Sequence, residues 1–530
     1  MLSSQASNAI MYITYGVLLI TGLLIAWKVK SKAGFLSANQ TQAGLPLALN
    51  FVASGLGCGI LSTYPQVANL AGLHGLLVYA VSGGLPMFLF AFFGPMLRRR
   101  CPSGFVLTEW VFHRFGLITG LYLSACTILT LFLFMVSEIA SLQYAVETLT
   151  GLSALPAAIV QCAVTTIYTA AGGFKVAFIT DTVQIVAVLL MLIIVTCSIG
   201  AYIDIDRSSV DSSGLLKDNL VGWQLVYILP VAIFTNDLFL SGFWLRTFAA
   251  RSDKDLWIGC SIAAFFLTCI AALVGVTGLL AVWAGWVEIG STDSSASLFI
   301  ILQNIPAWVS AFTLIFVVAI SVCTLGSLQS GLTSTISNDI FRNKVPLIYI
   351  RGIVVLIIVP VIVVGLKVAD DVLQIYFIAD LLSAAVIPII MLGLWDKLYF
   401  MTGYEVISGG LGGLLAVFIF GTIYYHSAKE GGKLLLIWNG IYGGDWGCFA
   451  AFVVAPFGSL LVAAIVCCLR LTILKVYSKV TGKPFTALDK PAPTKSAEED
   501  VEEDADSYER TSDVESSKDH ATTTKLLHGF

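Results

Sequence analysis

Thirteen windows of this chain are as long and apolar as a bilayer crossing, which takes about 20 predominantly apolar residues. They lie near 9–27, 46–70, 76–97, 117–143, 153–171, 176–202, 222–243, 256–287, 308–338, 347–367, 372–395, 404–425 and 449–474. Hydrocarbon offers no partner to a backbone N–H or C=O, so segments of this kind read as helices. Hydrophobic residues make up 57% of the 530 and charged residues 12%, about half the charge of an average soluble domain. The bilayer is the solvent for most of this chain.

Basic residues test the count independently, because cytoplasmic loops collect Lys and Arg. With the N-terminus outside, nineteen of the 29 Lys and Arg residues fall on the inner side, in clusters such as Lys28, Lys30 and Lys32, then Arg98, Arg99 and Arg100. Only Arg207, Lys217, Lys367, Lys429 and Lys433 fall outside, and the other five lie in the tail. An error of one span would scramble this alternation. An odd number of spans places the C-terminus in the cytoplasm, and the expected location is the plasma membrane. The first window is too long for a signal peptide. A net charge of -4 excludes the basic footprint of a nucleic-acid binder. The eleven cysteines lack metal-ligand spacing and read mostly as small apolar residues.

From about Phe485 the composition turns to Ser, Thr, Lys, Asp and Glu, with Glu498-Glu499-Asp500-Val501-Glu502-Glu503-Asp504 at its centre. Such a segment cannot bury enough apolar area to offset its ordering entropy. A disordered acidic cytoplasmic tail over 485–530 is expected. It is either a solvated end with no task or a segment for cytoplasmic regulators, modified on Ser or Thr.

Interruptions in the apolar windows point to sites, since broken backbone at membrane depth is tolerated where it lines a cavity or binds something. The second window carries Ser54-Gly55-Leu56-Gly57-Cys58-Gly59 and then Thr63-Tyr64-Pro65-Gln66. Either its glycines free carbonyls near Leu56 and Gly59 for a cation, or they let helices pack closely. The seventh window contains Pro230, Thr235-Asn236-Asp237 and Ser241-Gly242. An intramembrane carboxylate is a functional hypothesis by default. The two interrupted windows stand five spans apart, the spacing that two inverted five-helix repeats produce. The ninth window is rich in hydroxyls, among them Ser321, Thr324, Ser327 and Ser330. These either bond their own helix or line a hydrated, ion-binding face. Nothing resembles a nucleotide loop or a nucleophile motif, so no enzyme is expected.

The run Tyr168-Thr169-Ala170-Ala171-Gly172-Gly173-Phe174-Lys175, continuing to Thr180-Asp181-Thr182-Val183-Gln184, resembles the signature of the sodium/solute symporter family, as does Leu149-Thr150-Gly151-Leu152 before it. Phe243-Trp244-Leu245-Arg246-Thr247-Phe248 is similar to the stretch leaving that family's seventh helix, and Ser383-Ala384-Ala385-Val386-Ile387-Pro388 resembles its urea and polyamine branch. The resemblance implies an all-α polytopic membrane protein of about 13 transmembrane helices with a five-plus-five inverted-repeat core and discontinuous helices. Its expected parts are a first helix and loop over 1–45, a ten-helix core over 46–395, two more helices over 396–484 and the tail.

Family ion ligands carried onto this chain fall at the carbonyls of Leu56, Gly59 and Ile320 and the side chains of Cys323 and Thr324. Cys323 stands where serine is usual, and a thiol is a poor ligand for Na+, so the coupling ion is Na+ or H+. Asp181 is implied in ion release, following a turn at Gly172-Gly173, and Arg246 in gating the inner mouth. The urea branch's Asp-Gln pair is replaced here by Leu240-Ser241, with Asp237 three residues earlier on nearly the same face. Substrate-binding candidates are Thr63, Tyr64, Gln66, Asn236, Asp237 and Trp244, the last with an alternative as an interfacial anchor. Glu138 is either a substrate-path acid or an outer-end residue. The expected activity is secondary active uptake of a small polar solute, urea or a polyamine, with no cofactor beyond the coupling ion. A non-transporting receptor on this scaffold and a passive facilitator are the alternatives.

Overall fold

A computed structural model describes residues 3–28, 40–102, 104, 106–205, 207–342, 344–367, 371–441 and 445–489. Lys30, Lys32 and the tail from 490 onward lie outside the described residues, as does the side chain of Lys175. The described regular structure is helical, apart from one isolated bridge between Gln42 and Ala250. Helix α1 (Ser4–Lys28) precedes a first broken span made of α2 (Gly44–Gly55) and α3 (Cys58–Gly84), with Leu56 and Gly57 extended between them. Then follow α4 (Pro86–Arg100), the short α5 (Leu107–Phe115), α6 (Leu117–Thr150) and α7 (Ala154–Tyr202). After α8 (Arg207–Ser213), a second broken span joins α9 (Leu220–Asp237) to α10 (Ser241–Ala249) through Leu238, Phe239 and Leu240. The chain continues through α11 (Asp253–Trp283), α12 (Ser297–Gln303), α13 (Ala307–Thr335), α14 (Leu347–Lys367), α15 (Val372–Leu392), α16 (Gly403–Tyr424), α17 (Ala428–Leu434) and α18 (Gly447–Thr481).

Among the described residues eleven helices are long and apolar enough to cross a membrane, and up to twelve if a bent pair is one span. Two of the thirteen windows share α7, which keeps helical backbone through Gly172 and Gly173, where a turn is expected. Two others meet in a continuous helical stretch from Cys58 to Arg100, which turns at Gly72 (φ 63°, ψ -161°). At that turn Leu73 N–H donates to the Leu215 carbonyl at 2.8 Å, and Ala68, Leu76, Leu215 and Leu279 pack around it.

The structure divides into two compact units, residues 1–394 with 402–469 and residues 395–401 with 470 onward. The larger unit holds both broken spans and all the chemistry described below. In the smaller, Arg470 donates to the Phe400 carbonyl at 2.7 Å and the Tyr399 hydroxyl to the Leu488 carbonyl at 2.7 Å.

A Cβ at residue 72 would stand 2.2 Å from the Leu215 carbonyl oxygen, and the backbone there is left-handed. Gly72→Ala is expected to lower stability by more than about 1 kcal/mol, read as a lower melting temperature of detergent-purified protein. Gly16→Ala, where a Cβ meets nothing within 4 Å, should not move it.

Candidate functional site

A helix broken inside the membrane leaves N–H and C=O groups that side chains must satisfy, and at the first break they do. The Leu56 carbonyl accepts the Thr324 hydroxyl of α13 at 2.7 Å. On the other side of the break the Cys58 N–H donates to Oε1 of Glu138 on α6 at 2.9 Å. Glu138 is fully buried, so it is not an outer-end residue. Thr324 also reaches the Ile320 carbonyl at 3.2 Å. Three of the expected ion-site positions, Leu56, Ile320 and Thr324, therefore meet. The other two do not join them. The Gly59 carbonyl lies inside α3 and accepts the Thr63 hydroxyl at 3.1 Å. Successive side chains on a helix point about 100° apart, so Cys323 turns away from the break while Thr324 faces it. The Cys323 thiol reaches Asp181 instead. Of the two readings of the interrupting glycines, close packing is what the structure shows at Gly59. Gly57 sits in the break, whereas a Cβ on Gly59 would collide with the Tyr376 hydroxyl at 2.0 Å.

Between the two breaks lies a cavity of about 140 Å³. Thr63 and Tyr64 line it from α3, Asn236 and Asp237 from the end of α9, and Thr324 and Ser327 from α13. Tyr64 stacks on Tyr79, with ring centroids 3.8 Å apart and planes 5° from parallel. Asp380 of α15 also faces the cavity and accepts from the Asn236 amide at 2.6 Å. Asp237 lies close enough to Asp380 for their charges to interact. Phe134, Phe243 and Tyr376 complete an aromatic wall, and the described lining residues include no Lys, Arg or His.

Two substrate candidates belong elsewhere. Trp244 is fully buried, which removes it from the membrane interface as well as from the cavity. Its indole N–H donates to the Leu238 carbonyl at 2.7 Å, satisfying a group freed by the second break, and its ring meets Phe90 edge-on. The Gln66 amide donates to Asp371 at 3.1 Å, tying α3 to the N-cap of α15.

Asp181 and Arg246 come together at 2.9 Å, with each side chain 1% exposed. The guanidinium also donates to the Asn50 carbonyl at 3.0 Å and the Gly242 carbonyl at 2.9 Å, and to the Ser327 hydroxyl at 3.2 Å. Ser327 in turn donates to Asp181 at 3.1 Å. The pair thus locks α10 to α2, α7 and α13 beside the cavity. Sequence reasoning missed Asp380, Tyr79 and Tyr376. A signal for Asp380 exists: it is a single carboxylate within the apolar run Val372–Leu392.

No family model matches the chain. It is 60% identical over 492 residues, 92% of this chain and 94% of that one, to the spermidine transporter DUR31 of Candida albicans. The chain belongs to that transporter family. Among solved structures, a Na+-coupled sialic acid symporter in a substrate-bound outward-open state covers 88% of this chain and 97% of its own at TM-score 0.69 and 13% identity. A nucleobase-cation-symport-1 family transporter, closed with bromovinylhydantoin bound, covers 83% and 96% at TM-score 0.52 and 12% identity. These likenesses give the fold: an inverted-repeat core with discontinuous helices. The chain is an integral membrane secondary transporter of a small solute and not an enzyme.

Removing one partner of a buried ion pair strands the other, at a cost of about 3–5 kcal/mol, whereas replacing both by apolar residues of similar size is often neutral. Arg246→Met is therefore expected to lower the melting temperature of the purified transporter sharply. Asp181→Leu combined with Arg246→Met should recover most of that loss, and an unchanged melting temperature in the single variant would refute a structural role for the pair.

Proposed function

We propose that this transporter takes up a protonated polyamine such as spermidine, coupled to inward movement of a cation. One observation carries the reading: two carboxylates, Asp237 and Asp380, share an aromatic cavity whose described lining holds no basic side chain. Buried anions at membrane depth need counter-charges, and a polyamine brings several ammonium groups on a flexible apolar chain. Ring faces add cation–π attraction of about 0.5–2 kcal/mol each, and Tyr64, Tyr79 and Tyr376 offer such faces. Urea is neutral and would leave both carboxylates uncompensated. The name of the 60% identical relative agrees with this choice.

The coupling cation acts at the first break, around Leu56 and Thr324. Its binding favours the outward-open state that accepts solute, and its loss on the inner side releases both. The Lys and Arg distribution supports an orientation with the N-terminus outside and the acidic tail open to cytoplasmic regulators, and uptake of an external solute fits the plasma membrane.

Asp237→Asn and Asp380→Asn each remove a charge-assisted bond worth about 1.5–3 kcal/mol, so each should raise the spermidine concentration for half-maximal uptake about 10- to 100-fold. Uptake of labelled spermidine in cells expressing each variant at matched surface levels measures this. Competition of that uptake by urea as strong as by spermine would defeat the reading.

A further inference from the structure

At the corner between α4 and α5 three side chains that ligate metals come together. The Cys101 thiol, the Glu109 carboxylate and the His113 imidazole hold their ligand atoms within 4.8 Å of one another. Among the described residues this is the one group of three Cys, His, Asp or Glu side chains so placed. None of the three lines the solute cavity.

Cys101 ends α4, fixed there by its own N–H, which donates to the Leu97 carbonyl at 2.8 Å. The chain then folds back on it, with the Gly104 N–H donating to the Cys101 carbonyl at 3.1 Å. A Cβ on Gly104 would stand 2.7 Å from the Cys101 sulfur, so glycine is what lets the backbone pass so close to the thiol. Glu109 and His113 are four apart on α5, which sets them on one face of that helix. Cys101 is 4% exposed, Glu109 half-buried and His113 exposed. A Glu–His pair at this spacing is ordinary on a helix surface. A buried thiol within ligand distance of both is not.

We infer that Cys101, Glu109 and His113 bind a zinc ion, with water in the fourth position. Thiolate, imidazole and carboxylate are the three side-chain types that zinc takes, whereas Ca2+ and Mg2+ call for oxygen alone. Zinc bond lengths place tetrahedral ligand atoms about 3.3–3.6 Å apart. The group therefore closes by about 1 Å around the ion, and the exposed His113 side chain is the one placed to turn inward. On binding, the thiol gives its proton to water. Thiolate and carboxylate then neutralise the ion's two charges, which matters because Arg98, Arg99 and Arg100 directly precede the site. The Lys and Arg distribution puts this corner on the cytoplasmic side, where thiols stay reduced, and Cys101 is a free thiol. Eight residues separate Cys101 from Glu109, so the group shows none of the short spacings by which zinc sites are recognised in a sequence.

The corner is tied to helices that build the solute cavity. The Arg100 guanidinium donates to the Leu394 carbonyl, just past α15, at 2.6 Å. The Arg342 guanidinium, beyond α13, lies 5.6 Å from the centre of the Phe112 ring on α5. A metal that clamps α5 to the end of α4 thus stiffens the base on which α13 and α15 end.

The purified full-length transporter, kept reduced with a phosphine and stripped of metal by a chelator, tests this with zinc alone as the probe. In a calorimetric titration wild type should bind one more Zn2+ per chain than His113→Ala or Cys101→Ser, since the remaining cysteines and histidines are common to all three. Cobalt(II) in place of zinc should give wild type the charge-transfer absorption of a thiolate ligand. Cys101→Ser should lose that band, and Cys468→Ser, altered at an exposed cysteine, should keep it. Because zinc binds the folded form, saturating zinc should raise the melting temperature of wild type and not that of His113→Ala. Equal zinc binding by wild type and His113→Ala, or a cobalt band that survives in Cys101→Ser, overturns the site. If Cys101→Ser fails to fold, His113→Ala, altered at an exposed position, decides the matter by itself.

Discussion

Everything in this transporter is arranged around unsatisfied backbone at membrane depth. Between Leu56 and Gly57 the helical bonds stop, and each orphaned group would cost several kcal/mol if left facing hydrocarbon. Side chains from two other spans complete them: Thr324 covers the Leu56 carbonyl and Glu138 covers the Cys58 N–H. The break is thus held by long-range contacts, 268 and 80 residues away in the chain. A helix break stabilised from outside can be tuned from outside, which is what a transport cycle requires of it.

The second break solves the same problem differently. Trp244 reaches back six residues to the Leu238 carbonyl, and Asn236 at the end of α9 spends its amide on Asp380. The first device closes the break locally. The second ties it to α15, so a change in the charge of Asp380 bears directly on the second broken helix. Beside the cavity, Arg246 gathers carbonyls from the middle of α2 and the start of α10 together with Asp181 of α7. Its four acceptors are spread over the Nε, Nη1 and Nη2 atoms of a planar guanidinium, a fork that one ammonium nitrogen with three donors does not match.

How much of this was legible depended on the range of the interaction. Gly55 to Gly59 and the polar run from Thr235 to Gly242 marked both breaks, because glycine and isolated polar residues are anomalous in an apolar window. Leu56, Thr324, Asp181 and Arg246 were placed by resemblance, and the structure brings them together in pairs. Trp244 and Gln66 misled because residue type alone does not say where a side chain finds its partner. An indole N–H six residues from a broken turn, and an amide opposite an N-cap 305 residues on, are tertiary facts. Asp380 was missed for a related reason. Its apolar surroundings in α15 carry no period that points it toward the cavity, although a carboxylate in such surroundings was signal enough.

On the proposed reading, the carboxylates around the cavity favour a polycation as solute. Asp237 and Asp380 repel one another in a low-dielectric cavity, where such interactions are far stronger than in water. On that reading a polycation relieves the repulsion. A coupling cation that favours the same outward-open state as the solute raises the solute's apparent affinity, and thermodynamic linkage makes that help reciprocal. On this account coupling needs no contact between solute and ion. It follows when both ligands favour one arrangement of the two broken helices.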